Sequence, residues 1–410
     1  MKIAFIEFEY PPDTAKGGIA TYTWEASRAL TKRGHYVEVF AGSKDHVGSA
    51  LYDGVMVHRI DPNPVDFVVQ AGCAFKSRNE EIGFDVLEGA ELKAPAREAI
   101  RLVPEMPLVV RLHVPTFKLL TMSDPALNFV QRVRVLAGNI RRGRMTPPEW
   151  VAVERIEREH AGRADVIAAT SGAVGELVRH RWKLDPTRMI VSPLPFSPDP
   201  ALLEIPPGSV GNTVTFVGHV CVGKGMVELV DAMQVVMAQK PMVNLNLVGN
   251  IGSSPTPHVD MRKYVLDRLG KFASRIRIDG PVPRHRMQEV FRETDILVLP
   301  SHWDTFPVAC LEAMAAARAI VGTTSGGMTE MLDGGSAGKL VPPFQFRRLA
   351  SAILEFVDNL ALRAEMGDRA RRRVLTEFGV ERTVLIQEKC YMRAIETKRR
   401  GVSQGHTVDA

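Results

Sequence analysis

Residues 295–330 read DILVLPSHWDTFPVACLEAMAAARAIVGTTSGGMTE, two short apolar runs separated by polar turns and helical spacing. Ile296 to Leu299 is predicted to be a strand that opens into a turn carrying Asp304. A helix is predicted to start at Pro307, where the missing N–H costs nothing and the fixed φ suits a first turn. Glu312 lies further along it. The second apolar run, Ala319 to Val321, leads into Thr323-Thr324-Ser325-Gly326-Gly327 and a short helix with Glu330. Two strand–loop–helix units thus bring loops, a helix N-terminus and three carboxylates to one sheet edge. In parallel α/β sheets, ligands bind at that edge, outside the carboxyl ends of the strands. Helix N–H groups and the macrodipole there favour an anion such as a phosphate.

Working outward, the same alternation fills the chain. Strands are predicted at Thr213 to Val217, Val243 to Val248 and Ile276 to Asp279, with a helix from Met226 to Gln239. The first half shows strands at Lys2 to Glu7, Tyr36 to Phe40, Val55 to Ile60, Asp85 to Leu87, Leu108 to His113 and Asp165 to Ala168. A helix spans Gly18 to Arg33, and Gly34 is its stop. Alternating strands and helices are the signature of a doubly wound sheet, here two of them. Between the halves, Ser192 to Gly211 carries six prolines and reads as a linker. We expect a domain over 1–195, a linker over 196–212 and a second domain over 213–379. A final helix over 380–400 and a disordered tail over 401–410 follow.

Composition narrows the functions. At 410 residues, 45% hydrophobic and 24% charged, the chain matches ordinary globular proteins. No run of 18 apolar residues exists to span a membrane, and acids at Glu7 and Glu9 come too early for a secretory leader. The expected location is cytoplasmic. Four cysteines without C-x-x-C spacing suggest neither zinc nor a disulfide framework. A net charge of +5 does not by itself imply nucleic acid. The segment QRVRVLAGNIRRGR concentrates Arg132, Arg134, Arg141, Arg142 and Arg144 among apolar residues, a composition suited to anionic headgroups. A solvated helix face is the alternative.

The order Asp304, seven residues, then Glu312 within Leu311-Glu312-Ala313-Met314-Ala315, followed by Gly326-Gly327-Met328-Thr329-Glu330, resembles the retaining nucleotide-sugar glycosyltransferases of family 4 (group 1). The resemblance implies the GT-B fold, with two Rossmann-like doubly wound domains facing across a cleft and a C-terminal helix returning to the N-terminal domain. It departs from the pattern at Asp304, where Glu is usual, at His219, where Arg is usual, and at Ala317, where Gly is usual. By analogy, Asp304 binds sugar hydroxyls, Glu312 the ribose hydroxyls, and Thr305, Phe306, Pro307 and Val308 hold phosphates or sugar. Val282, Gly327 and Glu330 join this donor set.

Four further motifs bear on chemistry. Gly17-Gly18 precede a helix, so backbone and N–H groups can approach a ligand; in the family such a pair contacts donor diphosphate or acceptor. Gly218-His219-Val220-Cys221-Val222-Gly223-Lys224-Gly225 begins like a nucleotide P-loop, but Gly225 replaces the required Ser or Thr. It also resembles the family element whose basic pair neutralises the donor diphosphate, with Lys224 present and His219 offering less charge and no bidentate fork. His113 ends a strand at the ligand edge, where the family places a His beside the reacting sugar. Tyr22 and Glu88 are candidate acceptor contacts, with His113. The chain has no D-x-D, H-E-x-x-H, G-x-S-x-G or G-x-G-x-x-G, and no metal or cofactor is expected.

The expected activity is hexose transfer, with retention, from a UDP- or GDP-linked sugar to a glycan or lipid-linked acceptor in cell-surface polysaccharide or glycolipid synthesis. His113, Asp304 and Lys224 are the expected catalytic residues. The alternatives are a nucleotide-sugar epimerase on the same fold and a degenerate nucleotide- or glycan-binding protein.

Overall fold

The computed structural model describes residues 1–14, 17–61, 63–123, 149–208, 211–256 and 258–405. The arginine-rich segment 131–144 lies outside them. Contacts divide the chain into two compact units. Unit 1 comprises Met1–Phe117, Pro147–Ser197 and Phe378–Ala410, and unit 2 comprises Lys118–Thr146 and Pro198–Glu377.

Unit 1 is built on eight strands: β1 (Lys2–Ile6), β2 (Tyr36–Gly42), β3 (Gly48–Tyr52), β4 (Val55–Ile60), β5 (Val86–Ala90), β6 (Leu108–Leu112), β7 (Val166–Ala169) and β8 (Met189–Val191). Their order is β3-β4-β2-β1-β5-β6-β7-β8. Every pairing is parallel except β3 with β4. Strands such as Ile3–Ile6 and Val109–Val110 are buried throughout, as a sheet covered on both faces requires. Helix α1 (Gly18–Lys32) follows β1, and α2 (Pro64–Ile82) follows β4. The exposed edge strand β3 escaped the sequence reading because its pattern is solvated from end to end.

Unit 2 holds six parallel strands: β9 (Thr213–Val217), β10 (Asn244–Val248), β11 (Ile276–Asp279), β12 (Ile296–Leu299), β13 (Ala319–Thr323) and β14 (Lys339–Val341). They are ordered β11-β10-β9-β12-β13-β14. The chain therefore winds outward from β9 in one direction, then from β12 in the other. The two central strands mark a topological switch point, where doubly wound sheets leave a crevice. Helix α3 (Met226–Gln239) contributes Leu229, Met233 and Val236 to a core with Phe216, Leu247 and Val298. Helices α4 (Val308–Ala315) and α5 (Met328–Met331) follow β12 and β13.

Three expectations need correction. The proline-rich stretch is pinned to unit 2 from Pro198 onward and is no free linker. Pro200–Leu203 is a helical turn, Arg318 donates to the Pro206 carbonyl, and Arg363 donates to that of Gly211 at 3.0 Å. The final helix, α6 (Val380–Gly405), runs into the expected tail; residues 406–410 lie outside the described ones. Pro307 caps α4 instead of opening it, so the first helical residue is Val308. Helix α6 belongs to unit 1, where Arg33 and His35 bind Glu388 at 2.6 and 2.8 Å. No described helix is long and apolar enough to cross a membrane.

Candidate functional site

In unit 2 the ends of β9, β12 and β13 are sewn together by their loops. After β9 a tight turn, Val222–Lys224, presents the Gly223 carbonyl to the His302 N–H at 3.1 Å. Gly225 then takes φ +73°, and a Cβ there would lie 1.9 Å from the Pro300 carbonyl oxygen. Only glycine fits, so the residue that spoils a P-loop reading is required by the approach of β12. The turn delivers Lys224, whose Nζ donates to Asp304 Oδ2 at 2.6 Å. Ser301 Oγ adds a bond to the same oxygen at 3.3 Å, and the Thr305 N–H donates to Oδ1 at 3.0 Å.

Loop β13 closes on the same residue. The Gly327 N–H donates to the Asp304 carbonyl at 3.0 Å, and Gly326, at φ +71°, lies so close that a Cβ would sit 1.8 Å from that oxygen. Thr323 Oγ1 donates to the Ser301 carbonyl at 2.8 Å. The quoted Gly326-Gly327 pair thus holds Asp304 in place through the backbone. The side chains of Lys224 and Asp304 remain 26% and 13% exposed, so the pair sits at the switch point within reach of a ligand. Helix α4 begins just beyond, and its N-cap residue, Pro307, offers no side-chain acceptor to the first N–H groups, an arrangement that favours an anion at the positive end of the dipole.

Glu312, the fifth residue of α4, is buried; burial raises its pKa to about 7, opposed by Arg284. Thr305, Pro307 and Val308 are half-buried and Phe306 is buried. Val282 is half-buried in the loop after β11, and Glu330 is half-buried in α5, its carbonyl accepting from Arg373 at 2.8 Å. Gly218 ends β9. His219 is exposed, with its ring lying over Gly252, where a Cβ would come within 2.5 Å of Nε2. Sequence reasoning missed His302, which meets Glu228 at 3.0 Å and packs its ring 4.0 Å from that of Phe344. The spacing from Asp304 alone carries no signal for it, because its partners come from elsewhere in the chain, Glu228 from the first turn of α3 and Phe344 from the turn after β14.

Unit 1 has its own constellation at the carboxyl ends of its strands. Gly17 caps α1 and Gly18 opens it; residues 15 and 16 lie outside the described ones. His113 follows β6 and is 5% exposed. Burial, reinforced by Arg111, lowers its pKa to about 3, so the imidazole is neutral. Its backbone N–H donates to Glu91 Oε2 at 2.7 Å. Its ring meets Tyr22 edge-on at 5.2 Å.

Tyr22 and Glu88, expected to contact an acceptor, are committed elsewhere. Both are buried, and the Tyr22 hydroxyl donates to Glu88. Arg111 Nε donates to Glu88 Oε1 at 2.8 Å, and the Tyr391 hydroxyl of α6 donates to Glu88 Oε2 at 2.7 Å. Gln387 of α6 donates to the Tyr391 hydroxyl at 2.6 Å. This network ties α6 to the sheet. Glu88 stands in the middle of a strand, and a central strand covered on both faces keeps such a side chain from solvent.

Comparison with known proteins agrees with this architecture. The description Glycosyltransferase Family 4 matches residues 16–199, and Glycosyl transferases group 1 matches residues 211–359. The chain belongs to these glycosyltransferases. It is 25% identical to the D-inositol 3-phosphate glycosyltransferase of Kineococcus radiotolerans, over 93% of this chain and 92% of that one. It is 26% identical to the phosphatidyl-myo-inositol mannosyltransferase of Mycolicibacterium smegmatis, over 87% and 86%. Among solved structures, sucrose-phosphate synthase from Thermosynechococcus elongatus superimposes with a TM-score of 0.71 at 18% identity, over 96% and 99% of the two chains. HepE of Anabaena in complex with UDP-glucose gives 0.67 at 16%, over 95% and 99%. The fold is GT-B.

Proposed function

We propose that this glycosyltransferase takes its sugar from a nucleotide diphosphate donor held at the unit 2 switch point and transfers it with retention. The observation that carries this reading is the Lys224–Asp304 pair beside the uncapped start of α4. A diphosphate there would meet an ammonium and open N–H groups, and a sugar would find a carboxylate already oriented by Ser301 and Thr305. Because Lys224 is paired with Asp304, donor binding must share or exchange that ion pair. The developing negative charge on the leaving diphosphate is what the preorganised cation and helix end would stabilise. Glu312 would take the ribose hydroxyls. Gly17, Gly18 and the neutral His113 would contact the reacting groups.

The relatives named for inositol phosphate and phosphatidyl-myo-inositol support an acceptor of glycolipid or cyclitol type, and a peripheral cytoplasmic location follows if that acceptor is lipid-borne. The chain has no D-x-D, so the leaving-group chemistry is assigned to Lys224 and backbone N–H groups instead of a metal. The test is turnover with UDP-, GDP- and ADP-sugars in EDTA, with the anomeric configuration of the product read by proton NMR. We expect activity in chelator and retention. Loss of activity restored by magnesium or manganese, or an inverted product, would overturn the reading. Donor binding without turnover or hydrolysis would favour a binding protein.

A further inference from the structure

Unit 1 carries a switch point of its own. With the edge strand β3 set aside, its sheet runs β4-β2-β1-β5-β6-β7-β8, and the winding reverses between β1 and β5. At the carboxyl ends of those two strands lies a cavity of about 150 Å³. Phe8, Ile19, Phe67, Leu92 and Pro95 make its walls predominantly apolar, and Phe8 and Phe67 form an edge-to-face corner at 5.2 Å. Glu7, the first residue after β1, also lines it. Its side chain is 2% exposed, and Oε1 has no hydrogen-bond partner among the described residues.

An orphaned polar atom of this kind costs about 1–3 kcal/mol and calls for an explanation. Burial raises the Glu7 pKa well above the carboxylate range, and Glu88 and Glu91 push it further. Both causes favour the protonated carboxyl, which can donate one hydrogen bond. Among the described residues that line the cavity the cation is Lys93, and it is exposed, while Glu7, Glu9 and Glu91 gather nearby. An anion has no favourable place in such surroundings; a neutral oxygen on an apolar body does.

We propose that this cavity is an acceptor subsite for an uncharged apolar group bearing a hydroxyl or ether oxygen, which Glu7 takes up by hydrogen bonding. The assignment to the acceptor rests on the glycosyltransferase reading above; the cavity and its chemistry do not. The topology places it where doubly wound sheets bind ligands, and the sequence makes it apolar in unit 1 where unit 2 is ionic.

Benzyl alcohol and benzoate serve as probes of one shape and two charges, read by saturation-transfer NMR on the full chain, with a UDP thermal shift run alongside. Benzyl alcohol should bind and benzoate should bind about tenfold more weakly or not at all. Ile19→Trp, which fills the mouth, should remove the signal. Glu7→Leu should weaken it about tenfold, the loss of one hydrogen bond, while Glu7→Gln, still a neutral donor, should bind nearly as the parent does. Melting curves show that each variant is folded. Equal binding of benzoate, or indifference to both Ile19→Trp and Glu7→Leu, overturns the proposal. So does absence of benzyl alcohol binding in a protein that UDP stabilises. Glu7-dependent binding in a protein that UDP and the other nucleotides leave unchanged keeps the cavity as a ligand site and removes its role as an acceptor subsite.

Discussion

Each unit joins an acid to a base, and the two do so at different depths. Glu88, in the middle of β5, and Arg111, within β6, are wholly buried, and the bonds of Glu88 to Arg111, Tyr22, Tyr391 and Gln387 leave nothing for a ligand. Lys224 and Asp304 lie past the ends of β9 and β12, on loops, and keep part of their surface. The same pairing of charges is structural inside a covered sheet and available at its edge. The difference comes from the distance of a residue past its strand, not from residue type.

The sharpest way to break the comparison is Glu88→Ala. Removing one partner of a buried pair strands the Arg111 guanidinium and should cost about 3–5 kcal/mol, a fall in melting midpoint of roughly 10 °C. Replacing both Glu88 and Arg111 by Met should recover much of that loss, because no uncompensated charge remains. If calorimetry finds Glu88→Ala as stable as the parent, the network is not what holds α6.

Lys224→Ala should behave in the opposite way. Stability should change by on the order of 1 kcal/mol, since the pair is partly solvated. Turnover should fall about 10²–10³-fold, equivalent to roughly 3–4 kcal/mol of transition-state stabilisation. Asp304→Asn offers a finer separation. It frees the Lys224 charge, so nucleoside diphosphate binding by calorimetry should tighten while transfer falls. A variant with unchanged affinity would mean that Lys224 does not face the phosphates.

Glu312 gives the comparison a pH axis. Its pKa in the fold, about 7, lies above the usual value near 4.3, so the folded state holds a proton that the unfolded state releases. The stability cost is absent below pH 4, grows as pH rises through this window and is complete above 7. Glu312→Gln should therefore raise the melting midpoint at pH 8, by up to about 3 kcal/mol in stability, and change it little at pH 4. Equal effects at both pH values would show that the carboxyl is ionised in the fold.

The smallest effect concerns Ala317, which takes φ +51°, a left-handed conformation that costs alanine about 1–2 kcal/mol. Ala317→Gly should relieve that strain, less the added freedom of glycine in the unfolded chain, for a net gain of about 0.5–1 kcal/mol. Urea denaturation would measure it. A loss of stability would show that neighbouring contacts select the alanine.

Much of the unit 2 site was legible in the chain. Asp304, Glu312 and Gly326-Gly327 sit close together in sequence, on one strand–loop–helix run and the next, and their apolar spacing set the strands to within two residues. Lys224 was found because it stands in a glycine-rich turn. The role of Ala317 as a left-handed position was visible only as an odd residue in a motif; its φ explains it. Glu88 misled for a physical reason. An acid at the end of an apolar run reads as a strand terminus, yet β5 continues through Gly89 and Ala90, which carry little hydrophobic signal of their own.

By itself, then, the chain determined what is local: the periodicities that make two alternating α/β halves, the turns that need glycine, and the residues that can carry charge. Tertiary structure decided which charges remain usable. Burial and partners depend on residues far apart in sequence, such as Arg111 with Tyr391, or Gly225 with Pro300, and desolvation turns on that surrounding. It favoured the protonated form of Glu7, made His113 a neutral base and Glu88 a tie for the last helix, and it left Lys224 and Asp304 at an edge where a ligand can reach them.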